Sequence, residues 1–380
     1  MRIAILGGGI GGLCTAVGLQ RAGHEVRVYE SALELKAVGA GLVLSVNAML
    51  ALRQLGLGEV VRSIGYAFDS VAILDQRGKV INETDMRGVT QTYGGGNFSV
   101  HRSDLQAVLL NQLTDEQLRL GKKCVDFTPG RQITLRFEDG SQAPADALIA
   151  YDGIHSVVRK KLLPQVVLRY AGYTCWRAVV PYRFRQYPKR FSETWGAKGR
   201  FGIVPLKSDR VYWFATMNAP QNDAETRNFR VADLQRNFQH YHEPVADILA
   251  HTTDEHLLWN DILDFKPIEH YAFGNVVLAG DAAHAMTPNL GQGAGMAIED
   301  AAVLTFCLSD SATAEEAFRR FELIRQNRVS SIVNGAFQLG RIAQSSSPLL
   351  SKLRNNLFRI MPSWVGERQM KELYSVPLQD

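Results

Sequence analysis

The hydrophobic positions of the first thirty residues change their spacing twice. Residues 2–6 form an apolar run that is short enough for a buried parallel strand, and residues 13–21 carry apolar side chains at helical spacing. Residues 25–30 then alternate between charged and apolar side chains, as strands do. This order predicts a strand, a helix and a second strand, which together make one mononucleotide-binding unit.

Further along the chain, helical spacing returns at residues 47–55 and 103–113, where Ser103 is a good N-cap. Residues 145–151 predict another buried strand. Two hairpins are indicated by short apolar runs beside a turn: residues 71–74 and 80–82 around Arg77-Gly78, and residues 133–137 before Asp139-Gly140.

The pattern changes between about residues 166 and 264, where strands dominate, for example at 175–180, 202–205 and 211–217. Helical spacing then covers residues 293–308 and 314–343, after a return strand at 275–279. We therefore predict an α/β fold with three parts: a discontinuous Rossmann-like nucleotide-binding domain of residues 1–165 and 271–345, an inserted sheet-rich domain of residues 166–270, and a helical tail of residues 346–380.

Composition narrows the class of protein. With 46% hydrophobic and 21% charged residues among 380, the chain can form a packed core, and a net charge of +4 is too small to predict nucleic-acid binding. The four cysteines are far apart and form no CxxC pair, so we expect neither a metal site nor disulfides, and a cytoplasmic location. We find no run of 18 apolar residues that would cross a membrane.

The first chemical motif is Gly7-x-Gly9-x-x-Gly12, between the first strand and the first helix. Its glycines allow a tight turn and a close approach of backbone to a pyrophosphate, at the positive end of the helix. Glu30 ends the second strand 18 residues after Gly12, where a carboxylate can bind both ribose hydroxyls of an adenosine. Its charge disfavours a 2′-phosphate, so the sequence predicts FAD or NAD and not NADP.

Two more motifs follow predicted strands. Asp152-Gly153 comes after residues 147–151, and Gly280-Asp281 comes after residues 276–279 and leads into Pro288 and three alternate glycines: Gly291, Gly293 and Gly295. Asp281 would lie at the carboxyl end of its strand, where open α/β sheets bind ligands, and could bind a ribityl hydroxyl. The glycines would let backbone lie against a flat ring whose negative charge the next helix stabilises.

At these three points the sequence resembles the single-component (class A) flavoprotein aromatic hydroxylases, with the motifs in that family's order over nearly the whole chain. The resemblance implies a p-hydroxybenzoate hydroxylase-like fold and noncovalent FAD. It also implies that Arg102 contacts FAD, that the backbone of Cys124 faces the adenine, and that His284 packs behind the motif. The implied cofactor-binding set is Gly7, Gly9, Ile10, Gly11, Gly12, Glu30, Ser31, Arg102, Cys124, Asp152, Gly153, Asp281, Gly291, Gln292, Gly293 and Ala294.

The inserted sheet is where the substrate pocket should lie. Its sequence is similar to a branch that contains urate hydroxylases, 3-hydroxybenzoate 6-hydroxylases and zeaxanthin epoxidases, and Arg200 and Tyr212 match substrate-contacting positions of the urate enzymes. An arginine among aromatic side chains would bind an anionic ring, and a tyrosine could pass or accept a proton. A strand-end ion pair for Arg200 and a core position for Tyr212 are equally open. Pro288 would complete the predicted catalytic set beside the flavin.

The resemblance implies that NADH or NADPH, as a transient co-substrate, and O2 support hydroxylation of a small aromatic or heteroaromatic ring through a flavin C4a-hydroperoxide. Two alternatives stay open: an epoxidase or tetracycline-type antibiotic-modifying monooxygenase, and a flavin-binding protein without turnover. The residues do not decide between a monomer and a homodimer. Apolar and basic residues interleave in the tail, which permits contact with a membrane surface, although docking on the core is the commoner arrangement for a terminal helix.

Overall fold

The computed structural model describes residues 1–35, 40–184, 189–360 and 373–374. The strands in these ranges are β1 (Arg2–Leu6), β2 (Glu25–Tyr29), β3 (Gly41–Leu44), β4 (Tyr66–Ala67), β5 (Ser70–Asp75), β6 (Val80–Asp85), β7 (Phe98–His101), β8 (Leu118–Arg119), β9 (Cys124–Thr128), β10 (Ile133–Phe137), β11 (Gln142–Ala145), β12 (Ala147–Ala150), β13 (Arg169–Pro181), β14 (Arg190–Gly196), β15 (Gly199–Leu206), β16 (Arg210–Asn218), β17 (Leu258–Asp264), β18 (Ala272–Phe273) and β19 (Val276–Leu278).

The α-helices in the same ranges are α1 (Ile10–Arg21), α2 (Val46–Gln54), α3 (Gly58–Ile64), α4 (Arg87–Tyr93), α5 (Arg102–Leu110), α6 (Val157–Leu162), α7 (Ala224–Arg227), α8 (Val231–Phe238), α9 (Val245–Ala250), α10 (Asp281–His284), α11 (Gly293–Ser309), α12 (Ala314–Ala343) and α13 (Pro348–Ile360). Single 3-10 turns occur at Asp254–His256 and Pro288–Leu290. None of the helices in the described ranges is long and apolar enough to span a bilayer.

The central sheet has six strands in the order β18-β19-β12-β1-β2-β8. Strand β1 pairs in parallel with β2 and β12, and β12 pairs in parallel with β19. Strands β12 and β19 consist of buried apolar residues, as is usual for a parallel sheet covered on both faces. The predicted strand-helix-strand unit and the return strand at residues 276–278 are therefore confirmed.

Helix α1 is buried along almost its whole length, because it is packed between the sheet and α11. At Gly18, an added Cβ would lie 2.3 Å from the Thr305 hydroxyl oxygen and 2.6 Å from a Leu55 methyl group. Any larger residue would push α1 away from α11, so this glycine sets the distance between the two helices.

The second large sheet has seven strands in the order β17-β13-β16-β15-β14-β5-β6. Because side chains alternate along a strand, one face carries an aromatic core that includes Trp176, Phe201 and Trp213 and is covered by α8 and α9. The opposite face carries Arg200 and Tyr212. That face meets the nucleotide-binding part of the chain.

The structure differs from the sequence-based expectation at three places. Helix α5 begins at Arg102 with His101 as its N-cap residue, so the expected N-cap at Ser103 is wrong; the Ser103 hydroxyl instead lies within hydrogen-bond distance of the His101 ring. The strand expected over residues 145–151 divides at Asp146, whose carboxylate accepts hydrogen bonds from the backbone and side chain of Arg2. The hairpin β5–β6, expected in the nucleotide-binding domain, extends the second sheet.

The division into three parts stays a prediction, and two features bear on it. Strands β5 and β6 come from the segment 1–165 but pair with β14 of the inserted sheet. Helix α13 of the tail packs on the same sheet, with the Phe358 ring 5.3 Å from that of Trp195. Segments that precede and follow residues 166–270 therefore both pack on this sheet.

A buried ionic network joins three helices behind the central sheet. The carboxylates of Glu299 and Asp300, adjacent on α11, both bind the Arg325 guanidinium of α12, and all three side chains are fully buried. Asp300 also accepts hydrogen bonds from the Gly280 N–H at 2.9 Å and from His284 Nε2 at 2.6 Å. Burial opposes the charge of Asp300, but His284 and Arg325 outweigh it and hold the pKa of the carboxyl at about 2.

We predict that Arg325→Met lowers the free energy of unfolding by about 3 to 5 kcal/mol, because it leaves two buried carboxylates without their shared cation. Urea unfolding of the purified protein measures the change. Arg319→Met is the matched control, since Arg319 forms an exposed pair with Glu315 one turn away, worth about 0.3 to 0.5 kcal/mol. Equal midpoints for the two variants would contradict a structural role for the network.

Candidate active site

The loop after β1 can exist only with glycine at its key positions. Gly7 has φ +106°, and an added Cβ would lie 2.3 Å from the Tyr151 carbonyl oxygen. A Cβ on Gly12 would lie 2.1 Å from the Gly7 carbonyl oxygen, and one on Gly11 would meet the Tyr151 ring at 2.5 Å. The glycines thus bring the start of α1 against the ends of β1 and β12. Ile10, also in the predicted set, is buried there.

Glu30 closes this loop from the end of β2. One carboxylate oxygen accepts a hydrogen bond from the Gly8 N–H at 2.7 Å, and the other accepts from the Ala32 N–H at 2.8 Å and the Ser31 hydroxyl at 3.0 Å. Gln106 of α5, which sequence reasoning missed, donates to the Gly8 carbonyl at 3.1 Å. Glu30 is only partly buried, so its carboxylate has lone pairs left for the hydroxyls of a ribose.

The N-terminus of α1 faces open space. A Cβ built on Gly9, the N-cap residue, would meet no atom within 4 Å. No side chain caps this helix end, and its first turn has no acidic residue, so its free N–H groups are available to an anion. These features fit a pyrophosphate.

Asp152 follows β12, and its carboxylate binds the backbone at the start of α6. Its Oδ2 accepts hydrogen bonds from the Val157 N–H at 2.8 Å and the Val158 N–H at 3.3 Å, at the start of α6. Its Oδ1 is buried and accepts no hydrogen bond from the described residues. Burial also raises the pKa of this carboxyl. The neighbouring Gly153 has φ +78°, and an added Cβ there would meet no atom within 4 Å, so Oδ1 and Gly153 could face a ligand.

Arg102 and Cys124 lie on either side of this region. Arg102 is the first residue of α5, and its exposed guanidinium donates no hydrogen bond to a described residue. Cys124 begins β9, where its thiol donates to the Asp126 carbonyl at 3.3 Å and burial raises its pKa to about 11. A thiol of that pKa is neutral at pH 7, which suits a packing position and not a nucleophile.

Asp281 is held in place from behind. It is the first residue of α10, after Gly280 with φ +53°, whose N–H is bound by Asp300. The Asp281 carboxylate itself is exposed and accepts no hydrogen bond from the described residues. The buried network therefore fixes the backbone of the motif and leaves this carboxylate free to bind a hydroxyl. His284, expected to pack behind the motif, is buried against Asp300.

The segment after α10 forms an open backbone surface. Pro288–Leu290 is a 3-10 turn that Gly291 ends with φ +63°, and neither Gly291 nor Gly293 has an atom within 4 Å of an added Cβ. Helix α11 then begins without a capping side chain or an acidic first turn. Gln292 is buried and accepts a hydrogen bond from Asn47 of α2 at 2.9 Å, and Ala294 is half-buried beside it. A flat ring could lie on this backbone with the helix end at its edge.

Arg200 joins the inserted sheet to this loop. Its guanidinium binds Glu193 at 3.0 Å and donates to the Asn289 side-chain oxygen at 2.8 Å, and only 3% of the residue is exposed. Asn289 is also bonded to Tyr173 of β13 at 3.0 Å. Sequence reasoning missed Asn289, although it lies within the third motif.

Tyr212 is on the same sheet face as Arg200, but four residues along β16 from Thr216, the residue that pairs with Arg200. A Cβ on Gly41 of β3 would be 2.6 Å from the Tyr212 ring, and the Phe214 ring is 6.1 Å away. Burial raises the pKa of Tyr212, so its hydroxyl stays protonated near neutral pH. Pro288, the third residue of the predicted catalytic set, is exposed at the start of the loop.

Two tail residues complete the walls of this region. Tyr374 is 3% exposed and packs with apolar residues of α2, α4 and β5, and Leu373 contacts both that cluster and the residues of α11 and α12 behind the loop. The Leu373 carbonyl accepts a hydrogen bond from Arg328 at 2.7 Å. No periodicity in the sequence indicated this position for them.

The predicted cofactor residues gather at one edge of the central sheet. Gly7, Glu30, Asp152 and Asp281 each follow the carboxyl end of a parallel strand, and those strands are neighbours. The edge offers the partly buried Glu30 carboxylate, the uncapped start of α1, the exposed Asp281 carboxylate and the open glycine surface at the start of α11. These features fit the adenosine ribose, pyrophosphate, ribityl and ring parts of FAD in that order. Within the described residues no cluster of metal-ligating side chains is present.

The fold and the residues at the carboxyl ends of the central strands define this protein as a flavoprotein. The FAD binding domain family matches residues 1–334, and the chain belongs to that family and to its FAD-dependent aromatic hydroxylases. It is 38% identical over 380 residues to an aurachin C monooxygenase/isomerase of Stigmatella aurantiaca, covering 100% of this chain and 99% of the relative.

Two further comparisons agree with this assignment. A 2-heptyl-3-hydroxy-4(1H)-quinolone synthase of Pseudomonas aeruginosa is 32% identical over 390 residues, covering 99% of this chain and 98% of the relative. The crystal structure of Klebsiella pneumoniae HpxO complexed with FAD and uric acid superposes with a TM-score of 0.93 at 29% identity, covering 100% of this chain and 98% of the other. The chain is thus a FAD-dependent monooxygenase.

We predict that Asp281→Ala weakens FAD binding about 10- to 150-fold, because a hydrogen bond to a charged group is worth about 1.5 to 3 kcal/mol. Titration of apoprotein with FAD, followed by flavin fluorescence, measures the change. Asp310→Ala removes the same charge from an exposed pair with Arg320 at the far end of α11 and should leave binding unchanged. Full FAD occupancy of Asp281→Ala at low micromolar flavin would refute the assigned role.

Proposed function

We propose that this monooxygenase inserts one oxygen atom into a bicyclic nitrogen heteroaromatic ring of the 4-quinolone type that carries an apolar side chain. In the overall reaction a ring C–H becomes C–OH and the second atom of O2 leaves as water. NAD(P)H supplies the hydride that balances the electrons, and solvent supplies one proton. Bound FAD would supply the redox chemistry. The residues of this chain bind and orient the ring.

The ion pair between Arg200 and Glu193 is the observation that decides which class of substrate we propose. The charge of Arg200 is already balanced by Glu193, and both groups are largely buried, with side-chain exposures of 4% and 15%. An anionic ring would have to compete with that carboxylate for the guanidinium. A neutral ring with a polar carbonyl needs only a hydrogen-bond donor, so the arrangement favours a quinolone over a urate or benzoate anion.

The surroundings of the sheet face support an apolar side chain on that ring. Strand β5, α2 and α4 contribute a cluster around Phe68 and Met86, which Tyr374 and Leu373 of the tail help to close. An apolar chain gains about 25 cal/mol for each Å² of surface that such walls bury. The Pseudomonas aeruginosa relative is named for a quinolone with a heptyl chain, which has this combination of a polar ring and an apolar tail.

Tyr212 and Arg200 then have separate roles. The neutral Tyr212 hydroxyl donates a hydrogen bond to the ring carbonyl, since its raised pKa keeps the proton on the oxygen. Arg200 orients the loop that would carry the flavin ring, through its bond to Asn289. The cofactor contacts assigned to the glycine loop, Glu30 and Asp281 belong to this proposal as well.

The substrate proposal is tested by adding a 2-alkyl-4-quinolone to the FAD-loaded enzyme with NADH or NADPH in labelled oxygen. We expect oxidation of the nicotinamide to accelerate and one labelled atom to enter the quinolone for each hydride consumed. Urate and 3-hydroxybenzoate serve as comparison substrates. Faster turnover of either one than of the quinolone, or no stimulation by the quinolone, would refute the substrate class.

We predict that Arg200→Gln lowers the yield of product per NAD(P)H and weakens substrate binding, because Glu193 loses its buried partner and the loop that would carry the flavin ring loses its bond from Arg200 to Asn289. FAD binding should weaken less than in Asp281→Ala, since Arg200 acts on the flavin loop only through its bond to Asn289. Product and peroxide are measured per nicotinamide oxidised. Arg236→Gln, an exposed change on α8, is the control. If coupling and substrate affinity both stay at the wild-type level, Arg200 is only a structural ion pair.

A further inference from the structure

Helix α13 exposes its apolar residues to solvent. The five large aliphatic side chains of the helix are 55% to 77% exposed: Leu349, Leu350, Leu353, Leu357 and Ile360. At about 100° of rotation per residue, these positions fall within one stripe along the helix, which we call the leucine row.

The inner face of α13 is polar where a docked helix is normally apolar. Ser351 and Arg354 are buried at 8% and 6% exposure. The Arg354 guanidinium donates to the Ala343 carbonyl at 2.7 Å and lies 4.8 Å from the centre of the Trp195 ring. The helix therefore buries polar side chains and exposes apolar ones, which is the reverse of the usual packing of an amphipathic helix.

The orientation of α13 is fixed by contacts along the second half of the helix. Besides Arg354, the Phe358 ring meets Trp195 edge-on, and the Arg359 guanidinium binds Asp75 of β5 at 2.7 Å. Turning the leucine row inward would break all three contacts. The row is thus a built feature of the surface, and its contiguous leucines offer a candidate interaction surface.

The segment that carries the row is basic, although only Lys352 and Arg341 present their charge outward, since Arg354 is buried and Arg359 is paired with Asp75. Residues 341–360 contain no aspartate or glutamate and four basic residues: Arg341, Lys352, Arg354 and Arg359. Lys352 is exposed on the flank of the row, and Arg341 and Ile342 are exposed at the neighbouring end of α12. Apolar residues flanked by cations are complementary to the surface of a bilayer with anionic head groups.

The size of the row argues against a second copy of the chain as its partner. Thirteen residues give a helix about 20 Å long, so a stripe about 10 Å wide offers on the order of 200 Å². A stable dimer buries about 800 Å² on each partner. The helix is also too short to cross a bilayer, which needs about 20 apolar residues.

We propose that α13 docks on the surface of a bilayer containing anionic phospholipids, with the leucine row entering the boundary between head groups and acyl chains. The opposite face of the helix stays on Trp195, which pairs with Arg200 across β14 and β15. The docked bilayer would then lie beside the proposed substrate face. The inference goes beyond the proposed function, because docking needs no particular substrate.

Flotation of the FAD-loaded protein with vesicles tests the proposal without turnover. We expect the protein to float with vesicles of phosphatidylcholine and phosphatidylglycerol, and more weakly with phosphatidylcholine alone. Leu353→Glu and Leu357→Glu should each lower partitioning at least about tenfold, because a buried leucine is replaced by a charge. Leu323→Glu makes the same change at a 75% exposed position of α12 outside the row and should have no effect.

A second variant separates the electrostatic part of docking. Lys352→Gln should lower partitioning onto the anionic vesicles about fivefold and leave binding to neutral vesicles unchanged, since one basic residue near such a surface is worth about 1 kcal/mol. Thermal unfolding and FAD content confirm that each variant is folded.

Three results would overturn the proposal: no flotation of wild type, flotation that Leu323→Glu reduces as much as Leu353→Glu does, or self-association that the row variants abolish in the absence of vesicles. The last result would assign the row to a second copy of the chain. None of these results depends on which ring the enzyme hydroxylates, so failure of docking and failure of the proposed function are distinguishable.

Discussion

Two adjacent carboxylates that share one buried arginine are the constraint on which the site depends. Burial opposes the charges of Glu299 and Asp300, and Arg325 stabilises both, together with Arg328 at Glu299 and His284 at Asp300. Each carboxylate also binds a group of the site. Asp300 holds the Gly280 N–H, which sets the position of Asp281, and Glu299 holds Asn47 at 2.7 Å, beside Gln292. The network thus positions both Asp281 and Gln292, which lie at the two ends of the proposed flavin surface. Loss of one of its ion pairs would disturb the cofactor region before the rest of the fold.

The same loop is tied to the substrate side by a single amide. Asn289 bonds to Arg200 and Tyr173 of the inserted sheet and to the Ala336 carbonyl of α12 at 3.0 Å. Because Arg200 is held in turn by Glu193, a ring that binds on the sheet face is coupled to the backbone that faces the flavin. This geometry gives a physical route by which substrate binding would adjust the cofactor.

Much of the cofactor edge could be predicted from the sequence because its demands are local. Gly7 takes a positive φ of +106° within the turn, and Gly12 lies against the Gly7 carbonyl of the same turn. Asp281 stands at a strand end that the apolar run before it already marks. The motif order also indicated the family, which the comparisons confirmed. The individual site roles stay predictions.

The parts that sequence reasoning missed are set by tertiary packing. Asn47 meets Gln292 across 245 residues, and Arg200 meets Asn289 across 89, so no local pattern could pair them. The N-cap at Ser103 was wrong because β7 runs directly into α5 at His101. The hairpin β5–β6 has an ordinary alternating pattern that says nothing of which sheet it joins. The apolar residues of α13 were visible in the sequence, but their outward orientation depends on Trp195 and Asp75.

A quinolone bound on the sheet face that carries Arg200 should change the rate at which bound FAD is reduced. This coupling is tested most directly by mixing the FAD-loaded enzyme anaerobically with NADH or NADPH and following the loss of flavin absorbance. We expect a 2-alkyl-4-quinolone to accelerate reduction of the bound FAD and urate to leave the rate unchanged. A rate of reduction that is the same with and without the quinolone, or that urate alone increases, would contradict the coupling.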